Sequence, residues 1–216
     1  MKSKNGIKRM INIILVSVLI YVALSTYLKV FYPLAYVDLI HKYSKEYNID
    51  PYLIAAIINV ESRYDRNAIS SKEARGLMQI SPITGNWAAE ELSIEGFDLE
   101  KLFEPEINIR IGSWYLKVLE EEFDGNLQLI LAAYNGGSGN VSKWLENEEY
   151  SKNGIVLNKI PFKETEEYIE KVEKNINIYR VLYKNSFEDK ALNSNINFIA
   201  LIHNIRKVMK SLILYK

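Results

Sequence analysis

The chain has 216 residues, 48% of them hydrophobic and 25% charged. That admits one ordinary folded domain with appendages and excludes global disorder. It has no cysteine and two histidines, His41 and His203, which excludes disulfides, thiol nucleophiles, Cys-ligated metal and a histidine-rich metal centre. The net charge of +0 argues against a nucleic-acid partner, but it conceals an asymmetry: residues 1–32 carry Lys2, Lys4, Lys8, Arg9 and Lys29 and no acidic residue, so the rest is net acidic.

From Met10 to Leu28 the sequence is free of charge and mostly apolar. A helix of that length nearly spans a hydrocarbon core of about 30 Å, and four of the five early cations precede it, which predicts a cytoplasmic N-terminus and an exported remainder. Residues 1–31 are therefore expected to be a basic flank and a single transmembrane anchor. A cleaved signal peptide ending near Ala23-Leu24-Ser25 is the alternative.

Residues 32–186 read as short amphipathic helices without a run of strand-like alternation. Asp50-Pro51 predicts a helix start, with Ile54, Ile57 and Ile58 on one buried face. A second helix is predicted from Ile107 through Phe123, with Ile107, Ile111, Trp114, Tyr115 and Val118 inward and Asp124-Gly125 as its stop. A third runs from Asn126 to Asn135, closed by a left-handed cap at Gly136-Gly137. A fourth is expected to begin at Thr165 as N-cap, with Tyr168, Ile169, Val172, Ile176, Tyr179 and Leu182 on its stripe. Residues 187–216 form a basic amphipathic tail that either lies on an anionic membrane surface or packs back on the domain.

Glu61 continues the apolar series 54, 57, 58. A carboxylate at that position must be ion-paired, sit at a cleft edge, or be neutral. Pairing with Arg63, Arg66 or Arg75 is one reading. The other is a desolvated general acid with a raised pKa. Downstream, the polar loop from Arg66 to Arg75 and Gly76-Leu77-Met78-Gln79-Ile80 suggest a cleft wall. The Gln79 amide can both donate to and accept from an N-acetyl group. Tyr134 and Asn135 precede two glycines that permit close approach of a ligand.

These pieces occur in an order that resembles the catalytic domain of soluble lytic transglycosylases, whose fold is shared with goose-type lysozyme. They are Glu61-Ser62; Ala68-Ile69-Ser70 before Gly76 to Ile80; Asn108-Ile109 with Gly112 and Tyr115-Leu116; Ala133 to Gly137 with Gly139-Asn140-Val141 and Trp144; and Ile160 to Thr165 with Tyr168, Lys171 and Val172. The resemblance covers roughly Asp38 to Tyr183. It implies a mostly α, lysozyme-like domain with a substrate cleft, preceded here by one transmembrane helix. It also implies an enzyme that cleaves the β-1,4 bond between N-acetylmuramic acid and N-acetylglucosamine of peptidoglycan and leaves a 1,6-anhydro end.

By resemblance Glu61 is the single acid and then base, and Ser70, Gln79, Tyr134, Asn135 and Tyr168 contact substrate, with no metal or cofactor. Tyr134 and Tyr168 also have readings as core residues, Met78 reads as core, and Ser62 as a support for Glu61. Ser81 departs from the family pattern, in which many members carry Met. The expected partners are glycan strands and, through the N-terminal helix, the membrane, with the domain outside the cytoplasm. Two alternatives stay open: a hydrolytic muramidase of the same fold with a second carboxylate such as Asp65, and an inactive glycan-binding component of an envelope machine.

Overall fold

A computed structural model describes residues 2–184 together with Ser186 and Phe187. The chain divides between Leu34 and Ala35 into two compact units. The basic tail expected after residue 187 lies outside the described residues.

The first unit is one helix, α1 (Lys2–Phe31). Its stretch Gly6–Phe31 contains an 18-residue window of mean hydropathy 2.2 and is long and apolar enough to cross a membrane. At 1.5 Å per residue, 26 residues extend about 39 Å. Its large apolar side chains, among them Leu15, Leu19 and Ile20, are exposed.

The second unit is helical: α2 (Val37–Tyr47), α3 (Pro51–Glu61), α4 (Pro82–Glu91), a 3₁₀ turn (Leu99–Phe103), α5 (Pro105–Glu122), α6 (Leu127–Gly136), α7 (Ser138–Leu145) and α8 (Lys163–Leu182). No strand is present among the described residues, only the isolated bridges of Arg75 with Ile69 and with Ile80. The mostly α expectation is met. α3 starts where Asp50-Pro51 predicts, with the Asp50 carboxylate accepting from the Tyr52 N–H at 2.9 Å. It packs on α2 and α8, and α6 on α5, α7 and α8.

Four local expectations are corrected. α3 is buried all round from Leu53 to Asn59 rather than on one face; it is the central helix, and small Ala55 and Ala56 let neighbours close on its other side. The inward face of α5 is Asn108, Ile109, Ile111, Gly112, Ser113, Leu116 and Leu119. Ile107, Trp114, Tyr115 and Val118 lie at its margin, because the approach of Met78 to Gly112 turns the helix toward its small side. α6 extends to Gly136, and Gly137 takes φ 89°, ψ 135°, a positive-φ but extended link rather than a left-handed cap, with α7 starting at the next residue. α8 starts at Lys163. Thr165 is buried and its hydroxyl donates across to Asn135 Oδ1 at 2.8 Å instead of capping its own helix.

Candidate active site

Glu61 is the last residue of α3 and remains partly exposed. The helix stops because Arg63 and Tyr64 adopt positive φ of 53° and 66°, so the chain turns away and Tyr64 enters the core. Ser62 supports this corner. Its buried hydroxyl lies 2.7 Å from the carbonyl of Leu77 and 3.1 Å from that of Ile58, joining the end of α3 to the segment that carries Gln79.

That segment is held by backbone and amide groups rather than by apolar packing alone. Gly76 N–H donates to Ala68, and Arg75 and Ile80 exchange N–H···O bonds of 2.9 and 3.0 Å. Asn108, fully buried on α5, accepts from Met78 N–H at 2.7 Å and donates to the carbonyls of Arg75 and Leu102. Gly76 has φ +76°, and a Cβ there would collide with Leu102 and Asn108, so only glycine lets the strand-like turn sit this close to α5. Met78 is buried against Gly112, as the core reading expects.

A cavity of about 250 Å³ is lined by Gln79, Ile80, Ser81, Thr84, Tyr115, Ala133, Tyr134, Asn135, Gly136 and Gly137. The structure thus brings together Gln79, Tyr134 and Asn135. Gln79 stands at φ 50° and donates its amide N–H₂ to Ala68 and Gly76, which leaves its amide oxygen as the group available to a ligand. Tyr134 donates its hydroxyl to the Met78 carbonyl at 2.9 Å, so it offers the cavity a ring. Asn135 accepts from Thr165, an orientation that leaves its N–H₂ as the available donor.

The other three sequence-selected residues are placed differently. Glu61 borders this assembly through Tyr134 and Tyr168 and is not part of the cavity lining. Tyr168 is 5% exposed, on α8, with its hydroxyl in no regular hydrogen bond, yet near enough to act on the Glu61 carboxyl as a weak donor. Ser70 stands outside the lining, where its hydroxyl accepts from the N–H groups of Lys72 and Ala74 and shapes the loop.

The electrostatics single out Glu61. Burial pushes its pKa from 4.5 up to about 7, opposed by the Tyr168 hydroxyl and reinforced by the negative charge of Glu164. No ion pair among the described residues includes Glu61. The arginine-pairing reading is therefore corrected: Arg75 pairs with Glu100 and Glu73. Tyr134 and Tyr168 are both driven well above the ordinary tyrosine range, mainly by burial and then by Glu61, so both face it neutral. Asp65 accepts from Asn67 N–H in the turn after α3, and the carboxylate that acts on Glu61 is Glu164. Among the described residues no group of three His, Asp or Glu side chains is arranged to share a metal ion.

Sequence reasoning did not select Ser81 and Thr84 as lining. The signal was present: Ser81-Pro82 is an N-cap and first-turn pair, and Ser81 accepts from Thr84 N–H at 3.1 Å to start α4 beside the cavity.

Comparison with known proteins places the helical domain in a family. The family described as "Transglycosylase SLT domain" matches residues 38–156. The chain is 35% identical over 161 residues to the soluble lytic murein transglycosylase of Escherichia coli K12, covering 74% of this chain and 24% of that protein. It is 32% identical over 130 residues to the membrane-bound lytic murein transglycosylase C of Edwardsiella ictaluri, covering 53% of this chain and 34% of that protein. The crystal structure of the 70 kDa soluble lytic transglycosylase from Escherichia coli superposes with a TM-score of 0.63 at 32% identity, over 76% of this chain and 27% of that one. The chain spans about a quarter of the length of the Escherichia coli relative. Over the domain that carries the cavity, it belongs to the transglycosylase SLT family.

Proposed function

We propose that the protein is a lytic murein transglycosylase, held at the cell membrane by α1 with its domain outside the cytoplasm, that cuts the β-1,4 bond between N-acetylmuramic acid and N-acetylglucosamine. The observation that carries the reading is Glu61: a carboxyl in no ion pair among the described residues, partly desolvated, with a pKa of about 7 beside a cavity lined by amides and aromatic rings. Such a group holds a proton near neutral pH and can release it. Membrane-bound relatives and the apolar helix support the location.

In the proposed step, Glu61 donates its proton to the glycosidic oxygen as the bond from that oxygen to C1 of N-acetylmuramic acid breaks. The sugar's own N-acetyl group stabilises the positive charge developing at C1. The C6 hydroxyl of the same sugar then bonds to C1, and its proton passes to the Glu61 carboxylate. Glu61 ends as it began, and water is neither consumed nor released. The attack is intramolecular, worth roughly 7–11 kcal/mol of barrier when well aligned, and it asks only one carboxyl of the protein, where hydrolysis asks two. The Gln79 amide oxygen and the Asn135 N–H₂ are placed to accept from and donate to N-acetyl groups, Tyr134 supplies an apolar face, and Tyr168 steadies Glu61. Ser70, selected with them as a substrate contact, also holds the loop beside Gln79 through Lys72 and Ala74.

The test is mass spectrometry of muropeptides released from purified peptidoglycan by the full chain in detergent. The expected product carries an anhydromuramic end, one water lighter than a hydrolysed end, and Glu61→Gln lowers its rate by about 10²–10⁴-fold. A product with a reducing muramic end overturns the intramolecular step. Unchanged release by Glu61→Gln overturns the role of Glu61.

A further inference from the structure

The aromatic wall of the cavity does not end at its rim. Tyr134 and Tyr115, both in the lining, have ring centroids 5.6 Å apart. Tyr115 meets Trp87 at 6.3 Å with an interplanar angle of 82°, and Trp87 meets Trp114 at 4.7 Å and 70°. Four rings thus run in contact from the cavity across α5 to α4. Trp87 is the outermost and keeps 40% of its surface exposed.

An exposed ring standing alone is ordinary. This one is buttressed edge-on by two others, so it is ordered without being covered. It also follows Thr84, a lining residue, by one helical turn, which puts both on the same face of α4. Ile83 on that helix is 83% exposed, and Glu90 and Glu91, one turn beyond Trp87, are exposed carboxylates able to accept from hydroxyl groups. A rigid apolar face flanked by hydrogen-bond acceptors fits a pyranose ring, whose C–H face meets the electron-rich ring face while its equatorial hydroxyls reach the rim.

We infer that Trp87 forms a distal glycan subsite, on which a sugar of the bound strand stacks outside the cavity that holds the scissile bond. This rests on the glycan-cleaving reading above and adds a consequence: strands long enough to reach α4 bind better than short ones, and Trp87 is what distinguishes them.

The experiment uses the full chain in detergent in a Glu61→Gln background, so that ligand is bound and not turned over. β-1,4-linked N-acetylglucosamine trimer and hexamer are titrated by calorimetry, with far-ultraviolet circular dichroism as the check on folding. Trp87→Ala is expected to weaken hexamer binding about five- to tenfold and trimer binding by less than about twofold, and Trp87→Tyr is expected to restore most of the hexamer affinity. Unchanged hexamer affinity in Trp87→Ala overturns the inference. So does an equal loss for both lengths that Tyr does not rescue, since that marks Trp87 as packing support for Tyr115. Failure of the Glu61→Gln parent to bind either oligomer, with no peptidoglycan cleavage by the wild type, overturns the glycan reading itself and this subsite with it.

Discussion

Two places on the domain withdraw a charged side chain from water, and they do so in opposite ways. Arg75, with a side chain 14% exposed, reaches Glu100 at 2.7 Å and Glu73 at 3.4 Å and lies over the ring of Phe103. Its charge is met by opposite charge. Glu61 has no cation in reach among its perturbing groups; its neighbours are two neutral tyrosines and a like charge. It responds by holding its proton. The first arrangement fixes a loop; in the second, burial without an opposite charge leaves a carboxyl that holds its proton toward neutral pH.

The largest effect that sharpens this contrast is on stability. Glu61 titrates at about 7 when folded and near 4.5 when not, so between those values the folded state binds more protons than the unfolded one. Its favourable contribution is complete below pH 4.5 and is lost as pH rises through 7. Glu61→Gln carries no such dependence. Thermal melting of the full chain in detergent is expected to show wild type and Glu61→Gln alike at pH 4 and the variant more stable above pH 8, on the order of 2–3 kcal/mol. Parallel pH curves for the two proteins would place an unrecognised cation at Glu61 and erase the contrast with Arg75.

What the sequence disclosed follows the same division between local and tertiary causes. Asp50-Pro51 and Asp124-Gly125 mark helix ends because capping and positive φ are decided within a few residues. Glu61 stood out because a carboxylate interrupts an apolar series. The choice between an arginine partner and a cleft was not readable, since it depends on where Arg75 points, and that is set by Glu100, 25 residues further on. Thr165 had the residue type of a cap, but the acceptor it found, Asn135, is 30 residues away. The inward face of α5 was misjudged because a glycine, Gly112, gives way to Met78 and carries no apolar signal of its own. Gln79 was selected for an amide that can both donate and accept, but that both of its amide hydrogens are taken by carbonyls depends on a turn built around Gly76.

The next effect tests whether Tyr168 is a partner of Glu61 or only its wall. Its hydroxyl opposes the rise in the Glu61 pKa. Removing it in Tyr168→Phe is expected to raise that pKa further and move the alkaline limb of kcat/KM upward in pH, with a fall in rate at neutral pH of about three- to tenfold from the lost donor to the carboxylate. A muropeptide-release profile measured from pH 5 to 9 separates the cases. A lower rate with an unshifted limb assigns Tyr168 to packing alone.

The smallest effect compares two exposed carboxylates. Glu164 raises the Glu61 pKa by charge alone, whereas Glu100 acts on Arg75. Glu164→Gln should shift the alkaline limb of the activity profile downward, and added salt should produce a shift of the same sign in wild type, because charge acting through solvent is screened over about 8–10 Å. Glu100→Gln should leave the limb in place and lower stability by about 1 kcal/mol, since the Glu100 end of the pair is exposed and Glu73 still faces Arg75. If Glu100→Gln moved the limb as Glu164→Gln does, the two charged places would be coupled, and Glu61 would answer to the net charge of the loop wall rather than to the side chains around it.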